Sequence, residues 1–189
     1  MDVVALDIPD VKLLRPRRFA DSRGFFSEIY NQRRETAAGI AADFVQDNVS
    51  LSHPVGTIRG LHFQFPPKAQ AKLVMALSGR VLDVAVDCRR GSPTYGCHVS
   101  AVLDAEEWTQ ILVPVGFAHG FCTLEPDTMV LYKVTTHYAP ELDSGILWND
   151  PDLGIAWPVT AEQAVVSDKD KTLPRFRDLA DQFTYTETA

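Results

Sequence analysis

Short runs of β-forming residues, each closed by turn residues, recur at even spacing through the chain, and this rhythm most constrains its fold. Val81-Leu82-Asp83-Val84-Ala85-Val86-Asp87 is rich in valine and stops at Arg89-Arg90-Gly91-Ser92-Pro93, where glycine and proline break extended pairing. Residues 72–77 run into Ser78-Gly79, and residues 99–103, 108–113 and 129–135 read as further strands. No repeat and no low-complexity linker interrupts the series. Evenly spaced strands of this length predict an all-β sandwich or barrel. One helix stands out before the C-terminal region: Asn31 caps it, Gln32 to Ala38 propagate it and Gly39 ends it. A further short helix is expected around residues 176–181.

Length and charge narrow the possible partners. A chain of 189 residues can build a full core, and one domain over residues 1–189 is the expectation. The formal net charge of −7 leaves no broad basic face for nucleic acid, although a few local arginines suffice for a phosphate group. Cys88, Cys97 and Cys122 are odd in number and lack C-x-x-C spacing, which argues for a reducing compartment and against a disulfide framework or a zinc site. The first residues lack the basic start and long apolar stretch of a signal peptide. The longest uncharged run, residues 109–124, is broken by Pro114, Gly116, His119 and Gly120 and makes no membrane span. The expected setting is the cytoplasm, with no membrane partner.

Strand alternation sorts the side chains onto faces. Lys72, Val74 and Ala76 share one face; Leu73, Met75 and Leu77 share the other. Val130, Tyr132 and Val134 point together, as do His62 and Gln64 against Leu61 and Phe63. Single polar groups on inner faces are most often satisfied core residues. Several gathered at one barrel mouth point to a site.

Two motifs locate that mouth. Gly56, five residues and His62 match the start of the cupin metal motif G-x5-H-x-H, which continues to a Glu, six residues and a Gly. Here the second His is Gln64, and the Glu slot counted back from Gly79 is Lys72. The companion motif P-x-G-x-x-H is complete in Pro114-Val115-Gly116-Phe117-Ala118-His119. The chain thus resembles a cupin-type jelly-roll barrel without its ligand set, since an ammonium group repels a metal ion. No metal is expected.

A histidine and a lysine in one pocket suit proton abstraction beside a ketone. His62 is the candidate base, because imidazole titrates near working pH. Lys72, or an arginine, is the candidate stabiliser of the enolate oxygen. Tyr132 is the candidate acid. Acid and base on opposite faces of one carbon give inversion. A carboxylate on the far nitrogen would orient His62, and Asp83 and Asp170 are both candidates.

Nine blocks in order resemble the dTDP-4-dehydrorhamnose 3,5-epimerase family. They begin with Asp21-Ser22-Arg23-Gly24-Phe25-Phe26-Ser27-Glu28, Val45-Gln46-Asp47-Asn48, Arg59-Gly60-Leu61-His62 and Gln70-Ala71-Lys72-Leu73-Val74. The stretch Gly79 to Asp87, Gly91-Ser92-Pro93-Thr94-Tyr95-Gly96 and Gly116-Phe117-Ala118-His119-Gly120-Phe121 follow. Asn149-Asp150-Pro151 and Ser167-Asp168-Lys169-Asp170 complete the set. The resemblance implies inversion at C3 and C5 of dTDP-4-dehydro-6-deoxy-D-glucose, beside the C4 ketone, on the way to dTDP-L-rhamnose and without a cofactor.

By the same resemblance His62 is the base, Asp170 its partner, Tyr132 the acid and Lys72 the enolate stabiliser. His119 lines the pocket near the sugar, with Asp83 as its candidate partner, and Tyr138 shapes the pocket. Substrate binding falls to Phe19, Arg23, Phe26, Glu28, Gln46, Asn48 and Arg59. Arginine forks suit phosphates, and the aromatic rings suit the base. A homodimer is implied, with exchanged N-terminal strands carrying Phe19, Arg23, Phe26 and Glu28 across to the partner. Departures from the family pattern lie in the loop Leu51-Ser52-His53-Pro54-Val55-Gly56. Competing readings are an epimerase acting at C3 or C5 alone, a metal-dependent cupin, a ketoisomerase of the same fold and a non-catalytic sugar-nucleotide binder.

Overall fold

The computed structural model describes residues 1–40, 42–180 and 183–186. Its strands in chain order are β1 (Asp2–Ala5), β2 (Lys12–Arg15), β3 (Arg18–Asp21), β4 (Gly24–Ser27), β5 (Gln46–Ser52), β6 (Thr57–Gln64) and β7 (Lys72–Ser78). They continue with β8 (Arg80–Asp87), β9 (His98–Asp104), β10 (Gln110–Val113), β11 (Phe117–Thr123), β12 (Thr128–Val134), β13 (Asp143–Gly145) and β14 (Val165–Val166). One sheet has the order β1-β2-β10-β7-β12-β5; the other has the order β13-β6-β11-β8-β9, with β14 joined in parallel to β6. β3 and β4 form a separate hairpin. The pairing of strands distant in sequence, such as β6 with β11 and β7 with β10, makes this a cupin-type jelly roll.

Alternation explains the core. Val74, Ala76 and Val130 from the first sheet meet Val81, Ala85, Phe117 and Phe121 from the second, and Tyr132 packs at their margin. Each large apolar side chain buried this way contributes about 1.5–3 kcal/mol. The outer face of the second sheet is covered as well: Leu61, Val84, Val86 and Ala118 lie beneath Ile146, Leu153 and Phe183. With both faces covered, β11 is buried at every position, which accounts for the uncharged run in the sequence. Leu14, Leu73 and Leu112 on the outside of the first sheet pack with Ile40, which follows helix α1 (Gln32–Ala37). No helix among the described residues is long and apolar enough to cross a membrane.

Three local expectations are corrected. Residues 108 and 109 precede β10 and are not part of it: Trp108 is left-handed (φ 64°) and its N–H bonds back to Asp104 O in a turn. In α1, Asn31 is the N-cap as expected, but Ala38 is the C-cap and ends the helix one residue early; Gly39 follows at φ 78°. The C-terminal helix is a single 3-10 turn, Phe176–Asp178, and Asp181 lies outside the described residues.

Candidate active site

His62 and His119 are cross-strand partners on β6 and β11, and both line one cavity of about 460 Å³ between the sheets. Lys72 and Tyr132 line it from β7 and β12 of the opposite sheet. The close approach of β6 to β11 rests on Gly60, at φ 136°, where a Cβ would fall 2.5 Å from Gly120 Cα.

Asp170 reaches His62 from the C-terminal segment. Helix α2 (Asp168–Lys171) begins at the N-cap Ser167, whose hydroxyl accepts from Asp170 N at 3.1 Å. This turn sets Asp170 Oδ1 2.7 Å from His62 Nε2, while Gly60 N–H donates to Oδ2 at 3.3 Å. Burial opposes ionisation of Asp170, but hydrogen bonds from His62 and Gly60 outweigh it and hold its pKa below the usual carboxylate value. An ionised carboxylate accepts a hydrogen bond from Nε2–H, which leaves the lone pair on Nδ1.

Asp83, the other candidate for His62, is fully buried on β8 and belongs instead to His119, with carboxylate oxygens 2.9 and 3.0 Å from Nε2. Burial pushes the His119 pKa down, the charges of Lys72 and His62 add to this, and Asp83 opposes it. Lys72 is 8% exposed and donates to the His62 carbonyl at 3.0 Å. Burial lowers its pKa to about 8, against the pull of Asp83 and Asp143. At neutral pH it is therefore a desolvated ammonium lining the cavity, a cation that could meet a developing oxyanion there. The Tyr132 pKa is raised by burial, with Arg59 opposing and Asp143 adding, so the phenol keeps its proton at neutral pH.

A second cavity of about 390 Å³ opens beside the first and shares His62, Lys72, Tyr132 and Lys169 with it. Gln46, Asn48 and Tyr138 line this part, while Arg59 lines the first. Arg59 is fixed by bonds from Nε to Ser52 Oγ and from Nη2 to Leu51 O, each 3.1 Å. Leu51 and Ser52, expected in a loop, end β5 and hold this arginine. Phe19, Arg23, Phe26 and Glu28 line neither cavity. Phe19 and Arg23 sit on the β3–β4 hairpin with Phe26, which is 67% exposed, and Glu28 follows and contacts Asn31 and Arg34.

Asp143, Lys169 and Ser50 are among the cavity residues that sequence reasoning misses. Asp143 joins Lys169 and accepts from the Tyr138 hydroxyl at 3.0 Å. Lys169 neighbours Asp170 and was visible in its block, but Asp143 lies in a three-residue strand too short to register. Ser50 alternates with Gln46 and Asn48 on the inner side of β5, so period-two reading would have found it. Its buried hydroxyl has no hydrogen-bond partner among the described residues. Gln64 and Lys72, at the two altered ligand positions, offer an amide and a cation; no group of three His, Cys, Asp or Glu suited to a metal occurs among the described residues.

The family model for dTDP-4-dehydrorhamnose 3,5-epimerase matches residues 5–178. An enzyme of that name from Sinorhizobium fredii is 50% identical over 185 residues, 97% of this chain and 93% of its own. The crystal structure of the Bacillus anthracis enzyme of that name, with TDP and PPi bound, is 52% identical with a TM-score of 0.89, covering 92% of this chain and 98% of that one. The Legionella pneumophila dTDP-6-deoxy-D-glucose-3,5-epimerase, in complex with dTDP-4-keto-L-rhamnose, is 40% identical with a TM-score of 0.93, covering 98% and 99%. Matches of this length and identity, on a barrel that gathers the expected acid, base and cation in one cavity, make the chain a member of the dTDP-4-dehydrorhamnose 3,5-epimerase family.

Proposed function

We propose that the protein inverts C3 and C5 of dTDP-4-dehydro-6-deoxy-D-glucose and yields dTDP-4-dehydro-L-rhamnose for dTDP-L-rhamnose synthesis. The observation that carries this reading is the split of the proton-transfer groups between sheets: the His62–Asp170 pair on one side of the cavity, Tyr132 on the other. His62 removes the proton from the carbon beside the ketone. The electron pair moves to the C4 oxygen, where Lys72 stabilises the enolate. Tyr132 returns a proton to the opposite face of the same carbon, the ketone re-forms, and solvent restores both groups. A second cycle inverts the other carbon. General acid–base catalysis contributes roughly 10²–10⁴-fold and an oxyanion donor roughly 10²–10³-fold, so the groups act in combination. No metal or organic cofactor enters these steps.

Arg59, Gln46, Asn48, His119 and Tyr138 bind the nucleotide sugar along the joined cavities. Phe19, Arg23, Phe26 and Glu28 act from the partner in a homodimer that exchanges its N-terminal strands. The exposed phenylalanines of the hairpin and the edge of β5, unpaired among the described residues, support this arrangement, since apolar rings and unpaired strand edges seek cover. The single jelly-roll domain over residues 1–189 works in the cytoplasm.

Incubation with the substrate in deuterated water, followed by mass spectrometry and NMR of the sugar, tests the reading. Deuterium at C3 and C5 with L-rhamno product is the expected result. Label at one carbon identifies a single-site epimerase, and no label overturns the assignment.

A further inference from the structure

We infer that Gln64, at the position where the cupin motif has its second histidine, is a positioning residue for Tyr138. Gln64 is 2% exposed at the end of β6. Its Oε1 accepts from Ala139 N–H at 2.8 Å, and its Nε2 donates to Lys68 O at 2.7 Å and His137 O at 3.3 Å. A second glutamine completes the brace: Gln46 Oε1 accepts from Tyr138 N–H at 3.1 Å. Residues 137–139 belong to no helix or strand, so no sheet ladder serves their backbone. Two glutamine side chains serve it instead, at three successive residues.

The Tyr138 side chain gives its ring little anchorage. The residue is 56% exposed, and among the described residues its side-chain hydrogen bond is the one from the hydroxyl to Asp143. The direction of the ring over the second cavity is therefore set largely by where the backbone of 137–139 lies. Gln64 suits this task because a primary amide offers a donor and an acceptor at one tip. A carboxylate would face the Lys68 and His137 carbonyls with no proton to give.

This inference rests on the reading that Tyr138 faces the bound nucleotide sugar, and a double-mutant cycle tests it. Steady-state kcat and KM for the dTDP-sugar are measured for the full chain and for Gln64→Met, Tyr138→Ala and the double variant. Each single change is expected to raise KM roughly 3–10-fold with kcat within about twofold, the pattern of lost binding that is uniform between ground and transition state. The double variant should match Tyr138→Ala alone, because a residue acting through the ring has nothing to act on once the ring is gone. Multiplying effects, or a fall in kcat with KM unmoved, would overturn the inference, since general loosening of the loop predicts those. Unchanged KM in Tyr138→Ala also overturns it while leaving the epimerase reading intact, whereas absence of turnover in the unaltered protein removes both. Gln64→Glu keeps the acceptor for Ala139, loses both donations and takes the place of Gln64→Met in the cycle if that variant does not fold.

Discussion

His62 and Asp170 stand 108 positions apart in the chain, yet Nε2 of one lies 2.7 Å from Oδ1 of the other. On the proposed mechanism the pairing fixes which imidazole nitrogen is free and supplies a negative charge to the imidazolium that forms on proton abstraction. In Asp170→Asn the amide supplies no such charge. The expected outcome is a fall in kcat of about 10²–10⁴-fold with dTDP affinity retained. Steady-state kinetics beside calorimetric titration with dTDP checks this, and near-normal kcat would remove Asp170 from the mechanism.

Tyr132→Phe keeps the ring and removes the proton donor. His62 is untouched, so hydrogen exchange from substrate into deuterated water should continue while inverted product forms at least about 10²-fold more slowly. NMR follows both in one sample. Equal losses of exchange and inversion would mean that the phenol takes part in proton removal as well.

Lys72 links rate and stability to pH with opposite signs. Its pKa falls from 10.5 to about 8 on folding, through burial. On the proposed mechanism the ammonium that stabilises the enolate therefore loses its charge above pH 8, and kcat should decline there. Between those values the unfolded chain binds more protons at this residue than the native one, so its contribution to stability rises with pH. The expected signature is a gain of stability between pH 8 and 9 that Lys72→Met lacks, measured by denaturant unfolding of both proteins. Parallel stability curves would show that Lys72 is not desolvated.

Ser50 carries a buried hydroxyl with no partner among the described residues, in the wall of the larger cavity. Ser50→Ala breaks no internal bond, so the melting temperature of the free protein should hold or rise. KM should increase roughly 3–10-fold if the substrate supplies the missing partner, as one hydrogen bond contributes about 0.5–1.5 kcal/mol. A lower melting temperature with unchanged KM would place the hydroxyl's partner inside the protein.

The legible parts of this molecule are those with period-two order. β7, β8, β9 and β12 fall within about a residue of their sequence-based bounds because apolar and polar side chains alternate or run unbroken between clear turns. β13 and β14 span three and two residues, too short for any pattern, and their pairing with β6 depends on the path of the C-terminal segment. In the site, alternation placed Lys72 with Val74 and Tyr132 with Val130 on inner faces. It could not decide between Asp83 and Asp170, because that choice is a long-range contact carried by no local spacing. The two histidine–aspartate contacts resolve it spatially: Asp83 lies beside His119 on the neighbouring β11, and Asp170 arrives from outside the barrel.

That outside arrival has a meaning in time. Every strand of the barrel is encoded upstream of Ser167, and Asp170 emerges from the ribosome after all of them. A nascent chain released just past β14 holds His62, Lys72 and Tyr132 and lacks the carboxylate that lies against the imidazole. On the proposed mechanism, translation order makes full proton-transfer capacity the last property the chain acquires.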